Sequence, residues 1–193
     1  MSSTDLAPSS CAPLIRTYAR SLQGKRAYGE RPYHHRDNIT LIGAIALTGW
    51  IGAMTIDGGT NGDIFRFFIE SILVPNLWSG ACVVMDNLPA HKVDGIRQLI
   101  EDKGARLIYL SPYSPDFNPI ENCWSKIKEY LRSLAARSRE NLENGITNAM
   151  DAVSLKEIRN WFSHCCYCTS RSLKTAIITK MKCAIINLNN MQI

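Results

Sequence analysis

The feature that most constrains the fold is an almost wholly apolar, β-rich run at residues 39–47, ITLIGAIAL. A strand of this composition needs cover on both faces, as in the interior of a sheet that helices flank. Shorter strand patterns follow at 50–56, 81–85 and 106–110. Helical spacing of apolar residues predicts helices within 64–75, 93–104, 119–134, 140–152 and 155–164. This order predicts an α/β fold with a mixed sheet flanked by helices.

The composition is that of one folded domain. The 193 residues are 46% hydrophobic and 20% charged, which excludes a mainly disordered chain, a collagen-like repeat and a disulfide miniprotein. No stretch approaches the roughly 20 apolar residues of a membrane span. The first residues have neither the basic start nor the apolar run of a signal peptide. Together with seven cysteines, expected as reduced thiols, these features predict a cytoplasmic protein that does not contact a membrane.

Positive charge is concentrated near the start of the chain. The net charge of +5 favours a polyanionic partner. Between residues 16 and 36 only Glu30 opposes the basic residues, and tyrosines lie between them. Two interpretations stay open, a solvated edge hairpin and a surface that contacts DNA phosphates. The basic residues concerned are Arg16, Arg20, Lys25, Arg26, Arg31 and Arg36.

Asp86 and Glu121 are the candidate acidic site residues. Asp86 directly follows the buried strand pattern at 81–85, at the strand end where ligands bind in open α/β sheets. By itself it is equally compatible with a simple turn. Glu121 is the third residue of a predicted helix with Asn118 as N-cap, which is the arrangement of a capping box. The helix, strand and loop between the two acids can return Glu121 to the end of the sheet where Asp86 lies.

Two converging carboxylates can hold divalent cations. Mg²⁺ takes one or two carboxylates and keeps water and phosphate oxygens as its other ligands. A pair of such ions can activate water or a 3′-hydroxyl against a phosphodiester. Basic residues follow Glu121 on the same helix, where they can approach a phosphate or form an ordinary solvated face. The candidates for phosphate contact are Lys126, Lys128 and Arg132.

Two segments, VVMDNLPAHK at 83–92 and YLSPYSPDFNPIENCWSKIK at 109–128, resemble the DDE endonuclease domain of mariner-like bacterial insertion-sequence transposases. Positions 87 to 120, 34 residues, separate Asp86 from Glu121, which is the spacing of that family. The resemblance implies an RNase H-like fold over residues 16–170. It also implies that Asp86 and Glu121 are catalytic metal ligands for two Mg²⁺ or Mn²⁺ ions. Asn87, His91 and Asn118 belong to the same motifs and are expected to support them.

The start of the chain departs from the family pattern. The family has a first catalytic Asp in an Asp-Glu-x-Gly run on the first strand, and residues 1–15 contain no such run. Asp5 is the one acid available, and Pro8 and Pro13 argue against a central strand there. We expect residues 1–15 to be a disrupted remnant of the first strand, so that the first strand is incomplete and the chain truncated. Residues 171–193 are expected to form a flexible basic tail, with a weak strand or helix at 177–178 and 184–186 as the alternative.

These observations lead to one main hypothesis and its alternatives. The main hypothesis is a transposase catalytic domain that cleaves double-stranded DNA at element ends and joins it to target DNA, with a homodimer as a candidate assembly. The alternatives are a catalytically inactive DNA-binding remnant and another RNase H-like nuclease that acts on RNA–DNA hybrids. The Cys-x-x-Cys at Cys165 and Cys168 lacks the second pair that a zinc site requires, so we expect plain thiols closing the last helix.

Overall fold

The computed structural model describes residues 20–28, 38–88, 91–112, 114–135, 138–167 and 183–192, the last of these by their backbone. Five strands and five α-helices are defined in this part of the chain. A π-helical turn, Ile69–Leu73, and a 3₁₀ turn, Val74–Asn76, extend the first helix, and a second 3₁₀ turn, Pro115–Phe117, precedes the third. The elements are β1 (Asn38–Ala46), β2 (Gly49–Asp57), α1 (Gly62–Phe68), β3 (Cys82–Met85), α2 (Ile96–Glu101), β4 (Arg106–Tyr109), α3 (Pro119–Leu134), α4 (Arg139–Asp151), α5 (Leu155–His164) and β5 (Cys183–Gln192).

The five strands form one mixed sheet in the order β2-β1-β5-β3-β4. β1 pairs with β2 as an antiparallel hairpin, and β3 pairs with β4 in parallel. β5 lies between these two pairs, antiparallel to β1 and parallel to β3. The structure differs here from the expectation of a flexible tail over 171–193, because Cys183–Gln192 is a central strand; residues 168–182 lie outside the described residues. The expected remnant at 1–15 also lies outside them.

β1 is apolar on both faces because the sheet has a helical layer on each side. Ile42 and Ala44 belong to one hydrophobic cluster, with α1, the π-helical turn and α2. Ile39, Leu41 and Ile45 belong to the other cluster, with α3, α4 and α5. Alternation along the strand sends these two sets to opposite faces. The predicted α/β sheet flanked by helices is therefore confirmed.

The first helical segment buries a set of residues that only partly matches the predicted one. The sequence pattern placed Ile64, Phe67, Phe68 and Ile72 on the buried face; Phe68 is fully buried, but Phe67 is 56% exposed. The π-helical turn at Ile69–Leu73 inserts an extra residue into the helical repeat, and the face that packs on the sheet moves with it. The fully buried residues are Phe65, Phe68, Ile69 and Leu73.

Helix α3 is seated on the hairpin through a large aromatic contact. Trp124 is 1% exposed and lies directly over Gly43 of β1, where a Cβ atom would meet the Trp124 Cη2 atom at 2.7 Å. The Trp124 ring also packs against Trp50 of β2, with the ring centroids 5.9 Å apart. Glycine is needed at position 43 because the indole occupies the space of a side chain. This contact sets the position of the helix that carries Glu121.

Among the described residues, none of the helices has both the length and the apolar character needed to cross a bilayer.

Candidate functional site

A cleft of about 330 Å³ opens at the carboxyl end of β3. Three segments form it: the loop after β3, the loop after β4, and the first turn of α3. Asp86 and Glu121 both line this cleft, so the fold brings together the two acids that the sequence singled out. The remaining lining residues are Asn87, Leu88, Leu110, Ser111, Pro112, Ser114, Pro115 and Asn118.

Asp86 is oriented by a buried histidine. His91 Nδ1 lies against the Oδ1 atom of Asp86 and 3.4 Å from the Asp86 carbonyl oxygen, and the backbone N–H of Leu88 donates to the same Oδ1 atom at 3.4 Å. The Asp86 side chain is 25% exposed, so its carboxylate is also open to the cleft. His91 must carry its proton on Nδ1 to donate to a carboxylate. The spacing of Asp86 and His91 in the sequence therefore reflects a direct contact.

His91 is itself locked in place by two neighbouring elements. It is fully buried, and Phe65 of α1 stacks on its ring with centroids 4.3 Å apart and an interplanar angle of 29°. The hydroxyl of Tyr109, the last residue of β4, donates a 2.9 Å hydrogen bond to the His91 carbonyl oxygen. Burial raises the pKa of Tyr109, so this hydroxyl keeps its proton. The sequence did not predict that Phe65 and Tyr109 contact His91. For Tyr109, its position at the end of a neighbouring parallel strand was the one available signal.

Glu121 enters the cleft from the first turn of α3. Its backbone N–H donates to the Asn118 carbonyl oxygen at 3.0 Å, and Pro119 begins the helix. Asn118 occupies the predicted N-cap position of α3, but its side chain makes no capping hydrogen bond to the helix. Asn118 is 2% exposed, and its Oδ1 atom has no hydrogen-bond partner among the described residues. The buried amide therefore leaves an acceptor oxygen at the edge of the cleft.

The two acids interact electrostatically. Burial raises the pKa of Glu121 above its usual range, and the negative charge of Asp86 raises it further. The cation of Lys128 acts in the opposite direction. Lys128 lies two turns after Glu121 on the same helix face, as the helical spacing predicts. The cleft therefore concentrates negative charge that a cation would relieve.

The atoms around the cleft are suited to a hard divalent cation. Two carboxylates are the number that Mg²⁺ takes when water and phosphate complete its shell. Two buried amide oxygens of the cleft, those of Asn87 and Asn118, lack a hydrogen-bond partner among the described residues. Within that same part of the chain, no three His, Cys, Asp or Glu side chains form a ready-made metal cluster. The residues present thus fit a partly water-coordinated ion and not a closed structural site.

The predicted DNA-contacting residues fall into four groups. Arg20, Lys25 and Arg26 lie on an exposed segment that turns at Gly24. Lys126 does not point to a free surface: its Nζ atom donates to Glu157 at 2.7 Å and to the Ala152 carbonyl oxygen at 2.8 Å. It therefore joins α3 to α5, a role that its sequence position did not indicate. Lys128 and Arg132 are partly exposed on α3, and Arg16, Arg31 and Arg36 lie outside the described residues, as does Asp5, the candidate first catalytic acid.

The cysteine cluster follows the last helix, as expected. Cys165 is the C-cap of α5 and is buried, whereas Cys166 is exposed. Burial is the main reason why the pKa of the Cys165 thiol is raised. Cys168 lies outside the described residues. The two described cysteines of this cluster, Cys165 and Cys166, therefore lie at the end of α5.

The family of this chain is shown by its sequence. A model of the DDE superfamily endonuclease family matches residues 5–143. Because this match covers more than half of the chain, the protein belongs to the DDE superfamily endonucleases. A 96-residue region is also 26% identical to the Tc1 transposase of Caenorhabditis elegans, covering 50% of this chain and 35% of that protein.

Solved structures show the same fold. The Mos1 transposase paired-end complex with left transposon end matches with a TM-score of 0.62 at 16% identity, covering 88% of this chain and 52% of that one. The Mos1 strand transfer complex matches with a TM-score of 0.57 at 14% identity, covering 81% and 49% respectively. The sheet and its flanking helices therefore have the same fold as part of these Mos1 transposase structures, in agreement with the expected RNase H-like fold. The chain spans about a third to a half of the length of these relatives.

Proposed function

We propose that this chain is the catalytic domain of a transposase that cleaves DNA at the ends of a bacterial insertion sequence and joins it to a target. Membership of the DDE endonuclease family supports a transposition-related nuclease. The observation that carries the proposal is the meeting of Asp86 and Glu121 in one cleft, from segments that are far apart in the sequence.

In this proposal Asp86 and Glu121 hold divalent cations, Mg²⁺ or Mn²⁺. Such ions supply Lewis acidity: they lower the pKa of water and neutralise charge on a phosphodiester. The chain contributes ionised carboxylates at a site where burial and the charge of Asp86 make ionisation of Glu121 costly in the absence of a cation. The unpartnered oxygens of Asn87 and Asn118 can accept hydrogen bonds from coordinated water.

The other residues of the site orient these ligands. His91 holds one oxygen of Asp86 and thereby directs the carboxylate toward the cleft. The stacking of Phe65 and the hydrogen bond from Tyr109 prevent rotation of the loop that carries His91. Lys128 offsets the charge of Glu121 and lies where a DNA phosphate could also be contacted. Each of these residues positions charge; none of them has to react.

The proposed partner is double-stranded DNA. The Mos1 structures similar to this chain include a complex with a transposon end, which supports the same class of partner here. The net charge of +5 favours a polyanion. Homodimer formation is part of the proposal. The proposed phosphate contacts are Arg16, Arg20, Lys25, Arg26, Arg31, Arg36, Lys128 and Arg132.

One observation favours a second candidate, a DNA-binding remnant without catalytic activity. The strand next to β3, Cys183–Gln192, contains no acidic residue in its sequence. A third carboxylate for the site would therefore have to come from elsewhere, and Asp5 is the acid that the sequence offers. In this alternative the chain binds DNA and does not cleave it.

The test is nicking of a supercoiled plasmid with Mg²⁺ or Mn²⁺. We expect the unmodified chain to nick the plasmid, and Asp86→Asn and Glu121→Gln each to abolish nicking. Asp94→Asn removes an exposed acid near the same loop and serves as the matched control, with full activity expected. Asp5→Ala shows whether Asp5 takes part. DNA binding without nicking by the unmodified chain would support the remnant, and a preference for RNA–DNA hybrids would contradict both candidates.

A further inference from the structure

The central strand of the sheet comes from the end of the described chain. β5 hydrogen-bonds to β1 on one side and to β3 on the other, so β1 and β3 do not pair directly. The sheet therefore consists of a β1–β2 hairpin and a β3–β4 pair, joined by Cys183–Gln192. Strands lie about 4.8 Å apart, so β5 holds β1 and β3 about 10 Å from each other.

The two acids of the candidate site depend on different parts of this sheet. Asp86 directly follows β3. Glu121 belongs to α3, whose Trp124 is seated on Gly43 of β1 and packs against Trp50 of β2. α3 also shares a hydrophobic cluster with Cys82 and Val84 of β3, so it spans the strand that separates the two parts. The separation set by β5 therefore enters directly into the distance between Asp86 and Glu121.

The register places β5 along the site. Met85 is paired with Ile186, so the next residue, Asn187, stands level with Asp86. On the other side of β5, Ile186 is paired with Ala44 of β1. Without β5, the backbone N–H and C=O groups of β1 and β3 that face it would lose their partners beneath a packed helix. Such an opening would be costly, which favours an inserted strand over an empty gap.

We propose that the segment Cys183–Gln192 is an inserted strand that assembles the candidate site, holding the β3 end with Asp86 at a fixed distance from the hairpin that seats α3 and Glu121. The consequence for metal binding rests on the function proposed above; the insertion itself does not. The segment that the sequence suggested was a tail is thus a positioning element of the site.

A proline substitution tests the insertion in the full chain. Ile186→Pro removes a backbone N–H and cannot be accommodated in a central strand. We expect the variant to lose amide hydrogen-exchange protection in both β1 and β3. Gln23→Pro, at an exposed turn outside the sheet, is the control and should leave exchange in β1 and β3 unchanged. Equal exchange in the two variants would overturn the proposal.

A native pair of cysteines gives a second test that does not require a variant to fold. Cys82 of β3 is paired with Cys183 of β5, and neighbouring strands hold the Cα atoms of paired residues within the range that a disulfide spans. Treating the unmodified chain with diamide, which accepts the two protons and two electrons of the thiols, should yield a linked Cys82–Cys183 peptide. Cys123, buried in α3, should not replace either partner. Absence of the linked peptide would contradict insertion.

Manganese titration connects the strand to the site. We expect Ile186→Pro to weaken Mn²⁺ binding at least about tenfold relative to Gln23→Pro, since loss of the groups that orient metal ligands typically costs 10–100-fold in affinity. Unchanged affinity would overturn the positioning role. If the unmodified chain binds no Mn²⁺, the proposed function fails, while exchange and cross-linking still decide whether the strand is inserted.

Discussion

The packing of Trp124 of α3 against Gly43 predicts the effect of a substitution at position 43. Whether the substitution stabilises or destabilises the fold depends on this one contact. In Gly43→Ala, the new Cβ atom would lie 2.7 Å from Trp124 Cη2 and 3.0 Å from Trp50 Cζ3. Carbon atoms pack best at about 3.5–4.0 Å, so the overlap with Trp124 is about 1 Å. Both rings belong to one hydrophobic cluster, and Trp124 is 1% exposed, so its ring has little room to move away from a new methyl group without a shift of α3. The substitution should therefore destabilise the fold.

The size of the effect follows from overpacking. Extra atoms in a packed core cost about 1–3 kcal/mol, and each 1 kcal/mol lowers Tm by about 2–4 °C in a domain of this size. We expect the Tm of Gly43→Ala to fall by about 2–12 °C in differential scanning calorimetry. Without the clash, the same change would stabilise the fold by about 0.4–1 kcal/mol through the unfolded state.

The matched control is Gly59→Ala, where an added Cβ would meet no atom within 4 Å. That variant should have an unchanged or slightly higher Tm. Combining Gly43→Ala with Trp124→Leu should cost less than the two single changes together, because the leucine removes the ring that the new methyl meets. A Tm for Gly43→Ala equal to or above that of the unmodified chain would refute the proposed seat of α3.

Three further predictions concern charge. Glu121→Gln should raise the Tm of the metal-free chain at pH 8. The folded-state pKa of Glu121 is raised, so above that pKa the ionised carboxylate destabilises the unmodified chain, and Gln removes this penalty. The difference in Tm should disappear as the pH falls through the folded-state pKa of Glu121. Lys126→Met should lower stability at pH 7 by less than about 1 kcal/mol. Hydrogen bonds from Lys126 and then Ser154 lower the pKa of Glu157 to about 2, so this contribution should be lost between the unfolded-state pKa and about pH 2 in urea unfolding. Arg20, Lys25 and Arg26 are three exposed cations. Replacing all three by Gln should reduce the slope of log DNA-binding affinity against log salt concentration by about 1–3.

For each of these three predictions, a different result would contradict the reasoning. A lower Tm of Glu121→Gln at pH 8 would show that the ionised carboxylate stabilises the apo fold. A Lys126→Met effect that does not change with pH would assign it to packing of the lysine stem and not to its charge. An unchanged salt slope would exclude the exposed 20–28 segment from the DNA surface.

Local sequence patterns were sufficient for most elements of the fold. The apolar run at 39–47 corresponds to β1, and the helix predicted from Pro119 is α3 over its whole length. These elements form where composition and local periodicity agree with the packing they enter. The pairing of Asp86 with Glu121 was also predictable, because the strand end and the helix start are both marked in the sequence.

The features of the fold and the site that depend on long-range contacts were not predicted from the sequence. β5 contains asparagines at 187, 189 and 190, a residue type depleted in strands, and it is stabilised by pairing with β1 and β3. The stacking of Phe65 on His91 joins residues 26 positions apart, from α1 and the loop after β3. The ion pair of Lys126 with Glu157 likewise depends on the packing of α3 on α5. The two side-chain pairs have no local signal, and for β5 the short apolar run at 184–186 indicated a weak strand only as one alternative.

The central claim is that Asp86 and Glu121 hold the same divalent cation. The most direct measurement is Mn²⁺ titration by isothermal calorimetry of the unmodified chain, Asp86→Asn, Glu121→Gln and the double variant, with Asp94→Asn as control. We predict that each single substitution weakens binding about 10–100-fold, that the double variant binds little more weakly than either, and that the control is unchanged. Losses that add independently, or Mn²⁺ affinity that neither substitution alters, would contradict a shared site.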